Sequence, residues 1–169
     1  WRALAGRTKV NERGLVSLGD DNISISVSKK EIDRASRIVN ASIRYFEKRG
    51  CEFCWWGIRP GVTKCGFEIG KEFVALKFEE PVRSEIKQRK QRSEYDRNYV
   101  YEVPYAVYRP TGKFTLSINE YVSGAPQQNW SDGKMQRVEM ILGKFASAVM
   151  LVAEVKRIER QHEEARRAE

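Results

Sequence analysis

Asn22-Ile-Ser-Ile-Ser-Val27 runs directly into Ser28-Lys-Lys-Glu31, and the change of period at that junction decides the fold. Ile23, Ile25 and Val27 alternate with Asn22, Ser24 and Ser26, the period-two pattern of a strand with one buried face. Ser28 and Glu31 stand at the spacing of a capping box, in which hydroxyl and carboxylate satisfy each other's free backbone N–H groups, so a helix is expected to start there. Ile32, Ala35, Val39, Ile43 and Phe46 recur at three and four residues, with Ile38 beside them, and give that helix one apolar stripe. Arg34, Arg37, Arg44, Lys48 and Arg49 fall off the stripe and read as a solvated face. Gly50 ends the helix, with Lys48 and Arg49 at the negative end of its dipole.

Working outward, Cys51-Glu-Phe-Cys-Trp-Trp56 predicts a second strand, and residues 57–61, with Pro60 inside, a turn. Residues 63–69 and 72–78 predict a third and a fourth strand joined by Gly70-Lys71, a two-residue hairpin signal. In Lys113-Phe-Thr-Leu-Ser-Ile-Asn-Glu-Tyr121, Phe114, Leu116 and Ile118 alternate with Thr115, Ser117 and Asn119, so another one-face-buried strand is expected. Residues 122–128 read as a loop. Trp130-Ser-Asp-Gly-Lys134 opens the last element, with Ser131 or Asp132 as cap and Trp130 where a hydrophobic staple residue sits. Val138, Ile141, Leu142, Phe145, Ala148, Val149, Val152 and Val155 carry a helix to at least Arg160. A helix over 135–168 would span about 50 Å at 1.5 Å per residue, longer than a small domain is wide.

The resulting order, strand, helix, four strands, helix, implies an α+β fold: an antiparallel sheet of about five strands with two helices on one face. That order resembles half of a TATA-binding-protein-like module, a likeness of topology that carries no function. The chain divides into a basic lead-in at 1–21, with a short strand at 15–18, and a single α+β domain at 22–155. A charged extension of the last helix, 156–169, reads as a solvated end or a coiled-coil flank. His162 continues the apolar stripe there and reads as a surface or interface residue.

Within the domain, 81–110 is an insertion of different composition. Lys87-Gln-Arg-Lys-Gln-Arg92 holds four cations and no acid. Behind it comes Tyr95-Asp-Arg-Asn-Tyr-Val-Tyr-Glu-Val-Pro-Tyr-Ala-Val-Tyr108, broken by Pro104 and followed by Pro110. Good helix formers over 82–92 predict a short helix, and the prolines predict an extended or looped tyrosine segment. Cations beside aromatics suit a phosphate backbone and stackable bases. The nucleic-acid contacts expected from this pattern are Lys87, Arg89, Lys90, Arg92, Tyr95, Arg97 and Tyr99, on DNA or RNA. Tyrosines of this kind also serve as amphipathic packing on a scaffold.

Thirty-one Lys plus Arg against 23 Asp plus Glu give a formal charge of +8, a balance that favours polyanions. At 41% hydrophobic and 32% charged, the chain is too apolar for disorder and too interrupted by charge for a membrane span. Three cysteines, Cys51, Cys54 and Cys65, do not make a disulfide framework, and a reducing cytoplasm is the simplest compartment. Cys51-x-x-Cys54 follows a helix and enters a strand, the reverse of a redox pair at a helix N-terminus. A zinc site would have only Cys65 and the distant His162 to complete it.

One histidine near the end makes a Ser-His-Asp or Cys-His arrangement improbable, and no phosphate-binding or dinucleotide-binding glycine motif occurs. The chain therefore reads as a non-catalytic domain without cofactor or metal. A metal-dependent nuclease would have to draw on Asp20, Asp21, Glu68, Glu72 and Glu79 with Lys77. The overlong last helix suggests a second role, as a protein-interaction or homodimerisation module.

Pro110-Thr-Gly-Lys-Phe-Thr-Leu-Ser-Ile118 and Trp130-Ser-Asp-Gly-Lys-Met-Gln-Arg-Val-Glu139 resemble the C-terminal part of a group of uncharacterised bacterial proteins associated with mobile elements. The likeness covers most of the chain from Asn22 onward. It implies an upstream helix-turn-helix DNA-binding unit in such proteins, and no catalytic residues.

Overall fold

A computed structural model of the chain describes residues 7–17, 25–59, 62–95, 98–122 and 127–168. Its strands are β1 (Val16–Ser17), β2 (Ile25–Val27), β3 (Glu52–Arg59), β4 (Val62–Ile69), β5 (Glu72–Glu79), β6 (Val82–Arg92), β7 (Val100–Pro110), β8 (Thr115–Ile118) and β9 (Asn129–Ser131). Two full helices accompany them among the described residues, α1 (Ile32–Glu47) and α2 (Leu142–Ala168), each entered through a 3-10 turn.

β5 is the central strand of a seven-stranded sheet. β4 pairs with its first half, β8 with its second, and β2 with Phe78 and Glu79. β3, β1 and β9 extend the sheet beyond β4, β2 and β8. The α+β architecture with its long C-terminal helix matches the pattern of the sequence, and the sheet is wider than the five strands expected. All its pairings are antiparallel except β2 with β5, which is parallel. A strand whose chain leaves through α1 before the sheet resumes can run beside β5 in the same direction.

Register sorts the apolar side chains. Phe67, Val74, Leu76, Phe78, Leu116 and Trp130 share the face that α1 and α2 cover, and all six are buried. Phe46 of α1 stacks on Phe67 with centroids 4.1 Å apart, and Trp130 meets Phe145 of α2 edge-on at 5.3 Å. At about 25 cal/mol per Å² this shared apolar burial is the main favourable term of the fold. Gly66, opposite Ala75, has no room for a side chain: a Cβ there would stand 2.0 Å from the Val74 carbonyl oxygen.

The ends of α1 follow the sequence in part. Gly50, at φ +75°, closes the helix: its N–H bonds Glu47 O and the next N–H, of Cys51, bonds Phe46 O, a Schellman stop. At the start, no reciprocal capping box forms. Ser28 makes no side-chain cap, and its N–H goes instead to Glu80 Oε2 at 2.7 Å. A buried carboxylate 52 residues away takes that donor in place of the local Glu31.

Arg34 is also not a solvated side chain. Its guanidinium meets Asp132 with two hydrogen bonds (2.6 and 2.9 Å) and Glu139 with two more (both 2.8 Å). Asp132, fully buried, further accepts the N–H groups of Phe114 (2.8 Å) and Val138 (3.0 Å). One carboxylate thus joins α1, β8, the end of β9 and the turn into α2. Burial would raise the Asp132 carboxyl, but the hydrogen bonds from Arg34, Val138 and Phe114 together hold it below the usual carboxylate range. Arg34 lowers Glu139 as well, and both acids keep the guanidinium protonated. The last helix is capped at a distance by Asp132.

At its far end α2 lies over the start of β5. Lys156 donates to Phe73 O (2.5 Å) and Arg160 to Glu72 (2.7 Å). Beyond Arg160 the helix is held by its own pairs, Arg160 with Glu164 and Arg167 with Glu163. No helix among the described residues is long and apolar enough to cross a membrane.

Candidate nucleic-acid interface

Val82–Arg92 and Val100–Pro110 form neither a helix nor a loop. They make a sheet of their own, a two-stranded antiparallel ribbon paired over eleven consecutive positions from Val82↔Pro110 to Arg92↔Val100. At 3.3–3.4 Å per residue the arm is about 36 Å long. Helix propensity over 82–92 loses here to cross-strand hydrogen bonding, because β7 supplies a partner at every position.

The two prolines fit this ribbon. Thr111 N–H bonds Pro81 O (3.1 Å) and Ser93 N–H bonds Tyr99 O (2.9 Å), so the odd-numbered pairs are the hydrogen-bonded ones. Pro104 and Pro110 pair with Gln88 and Val82, at even positions. Their missing N–H groups therefore fall on the outer edge, where no ladder bond is lost.

Paired residues point to the same face, so register also sorts the site. On the odd face lie Lys87, Arg89, Tyr101 and Tyr105, with Arg83 and Arg109 toward the root and Tyr99 beyond Tyr101 at the tip. On the even face lie Lys90 and Arg92 with Ile86, Glu102 and Tyr108. The strand pleat thus splits the four-cation run two and two. Tyr95 sits in the tip, fully exposed, and Arg97 lies outside the described residues.

The rings are not filler for the body. Tyr99 is 61% exposed, and Tyr101 and Tyr105 each 39%. Tyr99 and Tyr101 lie nearly parallel, centroids 6.1 Å apart and planes at 22°, and the Arg89 guanidinium stands 5.9 Å from the centre of the Tyr105 ring. Nor are the cations neutralised one by one. Glu85 lies 4.0 Å from Lys87 and 3.9 Å from Arg109, all three exposed, while Arg89, Lys90 and Arg92 have no acid within 4.0 Å among the described residues. Exposed pairs of that length contribute little.

The root is fastened more firmly than the arm itself. Glu80, buried between β5 and β6, accepts Ser28 N–H with one oxygen and Gly112 N–H with the other (2.6 Å), and its own N–H bonds Ser26 O. A turn at Asn11–Gly14 packs alongside, with Arg13 6.0 Å from the Tyr108 ring centre and Gly14 against Pro110.

Sequence reasoning did not single out Tyr101, Tyr105, Arg83, Arg109 or Glu80. The signal for the first four was parity: Tyr99, Tyr101 and Tyr105 are spaced by two and four, a strand spacing.

The other sequence candidates are dispersed. Glu72 is engaged by Arg160, and Lys77 by Glu79 (2.6 Å) on the opposite face of β5. Asp20 and Asp21 lie outside the described residues, and among those described no three metal-ligating side chains converge. Cys65 is buried, with its thiol 3.6 Å from the Leu76 carbonyl oxygen, and Cys51 and Cys54 are free thiols. Burial pushes the Cys51 and Cys54 thiols up, with Glu68 and Glu52 adding to the shift at Cys54, so neither is a ready thiolate. His162 is exposed near the end of α2.

No family model matches the chain, and neither does any curated protein or solved structure.

Proposed function

We propose that this is a non-catalytic nucleic-acid-binding domain of the cytoplasm, and that its ribbon is the contacting element. The proposal rests on one observation: an arm about 36 Å long carries Lys87, Arg89, Lys90 and Arg92, the last three in no ion pair among the described residues, beside exposed tyrosines. Cations on both faces reach phosphates on either side of the arm. Each phosphate contact releases counterions, so affinity falls steeply with salt. The body, fixed by Asp132 and Glu80, holds the root still while the arm engages.

The two pieces that resemble mobile-element-associated bacterial proteins meet at Asp132 and flank the arm root, which supports the reading that the chain is the C-terminal domain of such a protein. The arm would then add backbone contacts to those of an upstream helix-turn-helix unit.

The test replaces Lys87, Arg89, Lys90 and Arg92 together by alanine and titrates DNA and RNA at several salt concentrations. The slope of log affinity against log salt is expected to fall by about 3–4, near 0.9 per lost phosphate contact. Unchanged affinity and slope defeat the proposal.

A second reading is a homodimer through α2, favoured by Leu151 and Ile158, exposed two turns apart on that helix. It requires a solution mass of two chains that drops to one when the helix is cut at Val155.

A further inference from the structure

We infer that the odd face of the ribbon is a base-stacking platform, and that its ligand is an unpaired stretch of nucleic acid and not a duplex. This deepens the proposed function and rests on it. The two faces of the arm differ in the way that matters for such a ligand. Pairing puts Arg83, Lys87, Arg89 and Arg109 on the odd face with a single acid, Glu85. Three tyrosines of the arm, Tyr101 and Tyr105 in the paired strand and Tyr99 just beyond it, stand on that same face. The even face carries Lys90 and Arg92 against Glu102, and its middle is Ile86 with Pro104 and Ala106.

A duplex buries the faces of its bases against one another and presents only edges and phosphates in its grooves. An aromatic ring gains a base face there only by prising a step apart. Single strands offer every base face freely, and aromatic side chains next to a cationic track are the chemistry that takes them. The geometry here suits that chemistry. Tyr99 and Tyr101 hold their rings 6.1 Å apart and within 22° of parallel, close to the roughly 6.8 Å that two stacking steps of 3.4 Å require for one base between two rings. Tyr105, four residues further along β7, lies about 13 Å from Tyr101 at the rise of a strand, with the Arg89 guanidinium 5.9 Å from its centre and Lys87 directly opposite. Bases would lie on the rings and phosphates along the cations.

The experiment compares oligothymidylate, oligouridylate and a blunt mixed-sequence duplex of equal length, using the wild-type chain and two triple variants at Tyr99, Tyr101 and Tyr105. Tyr→Phe keeps the rings; Tyr→Leu removes them. We expect wild type to prefer the single strands, the Phe variant to retain that preference, and the Leu variant to lose about tenfold or more per ring for single strands. Its duplex affinity and salt slope should not change. The two oligonucleotides decide between DNA and RNA.

Because leucines could loosen the ribbon, a second measurement uses wild type alone. Single strands carrying 5-iodouracil are irradiated, and adducts on Tyr99, Tyr101 or Tyr105 are expected by mass spectrometry. Adducts confined to Tyr45 or Tyr121, or a wild type that prefers the duplex, overturn the inference and leave the proposed function standing. A wild type that binds none of the three probes overturns both.

Discussion

The body and the arm are built from the same chain by opposite means. In the body, ionic groups are drawn inward and matched: Asp132 with Arg34 and two backbone N–H groups, Glu80 with two more, Glu72 with Arg160. Five phenylalanines, Phe46, Phe67, Phe78, Phe114 and Phe145, are wholly buried around them. The arm has no interior. Ile86 is 77% exposed, and cross-strand pairs worth about 0.2–1 kcal/mol each must do what a core does elsewhere. A two-stranded ribbon alone is marginal in water. Standing as a separate element, it leaves most of its side chains exposed on both strands.

The sharpest way to break this contrast is to empty the body's ionic node. Asp132→Ala strips three donors of their acceptor and leaves Arg34 half-paired in a buried site. Removing one partner of such a pair is expected to cost about 3–5 kcal/mol, read as a lower urea midpoint. Next comes the apolar core: Ile38→Ala, at a position 1% exposed, should cost about 2–5 kcal/mol through lost transfer energy and the cavity left behind.

Acid supplies a third test of the node. Asp132 and Glu139 have folded values held below their ordinary 3.8 and 4.5. Depressed carboxyls stabilise fully above the unfolded values and lose that contribution as pH falls through the folded ones. Thermal midpoints should therefore hold level down to about pH 5 and fall below it. Asp132→Asn should flatten that fall, and an unchanged acid limb in this variant would show that other carboxyls govern it.

The contrast also explains what could be read from residues alone. Burial on one side writes a period into a sequence. Ile25 and Val27, the stripe from Ile32 to Phe46, and Leu116 and Ile118 each carried theirs, so these strands, the helices and the α+β class of the body were legible, while Asn22, Ile23 and Ser24 lie outside the described residues. In β6 neither face is buried, so Val82-Arg-Ser-Glu-Ile-Lys-Gln-Arg-Lys-Gln-Arg92 has no alternation to betray a strand, and its helix-forming side chains pointed the wrong way. Its cations were visible, but their division between two faces was not, since that follows only once the segment is known to be a strand. Arg34 and Glu80 were missed for a related reason. Their partners, Asp132, Ser28 and Gly112, are distant in sequence, and composition records nothing of such pairs.

If the arm is only an appendage, it can be removed. Arg83 and Arg109 are a directly opposed, hydrogen-bonded pair, so a two-residue Asn-Gly turn can replace 84–108. Glu80 would still bridge Ser28 and Gly112 at the root, and Asp132 lies outside the excised segment. The shortened chain should unfold cooperatively within about 1 kcal/mol of wild type, since none of the buried core is lost. A loss as large as that of Asp132→Ala would mean that the ribbon braces the body, and the contrast drawn above would fail.

The smallest effect expected is at Ile86. Truncation to alanine there removes apolar surface that is already in water and should shift stability by no more than about 0.5 kcal/mol, against several for the same change at Ile38. The pair of substitutions measures the contrast with one side chain in two settings, by chemical denaturation under one set of conditions. A large loss at Ile86 would indicate that the even face is covered in solution. The dimer reading would then gain an arm-to-arm contact in place of the one through α2, and mass measurement of Ile86→Ala would decide it.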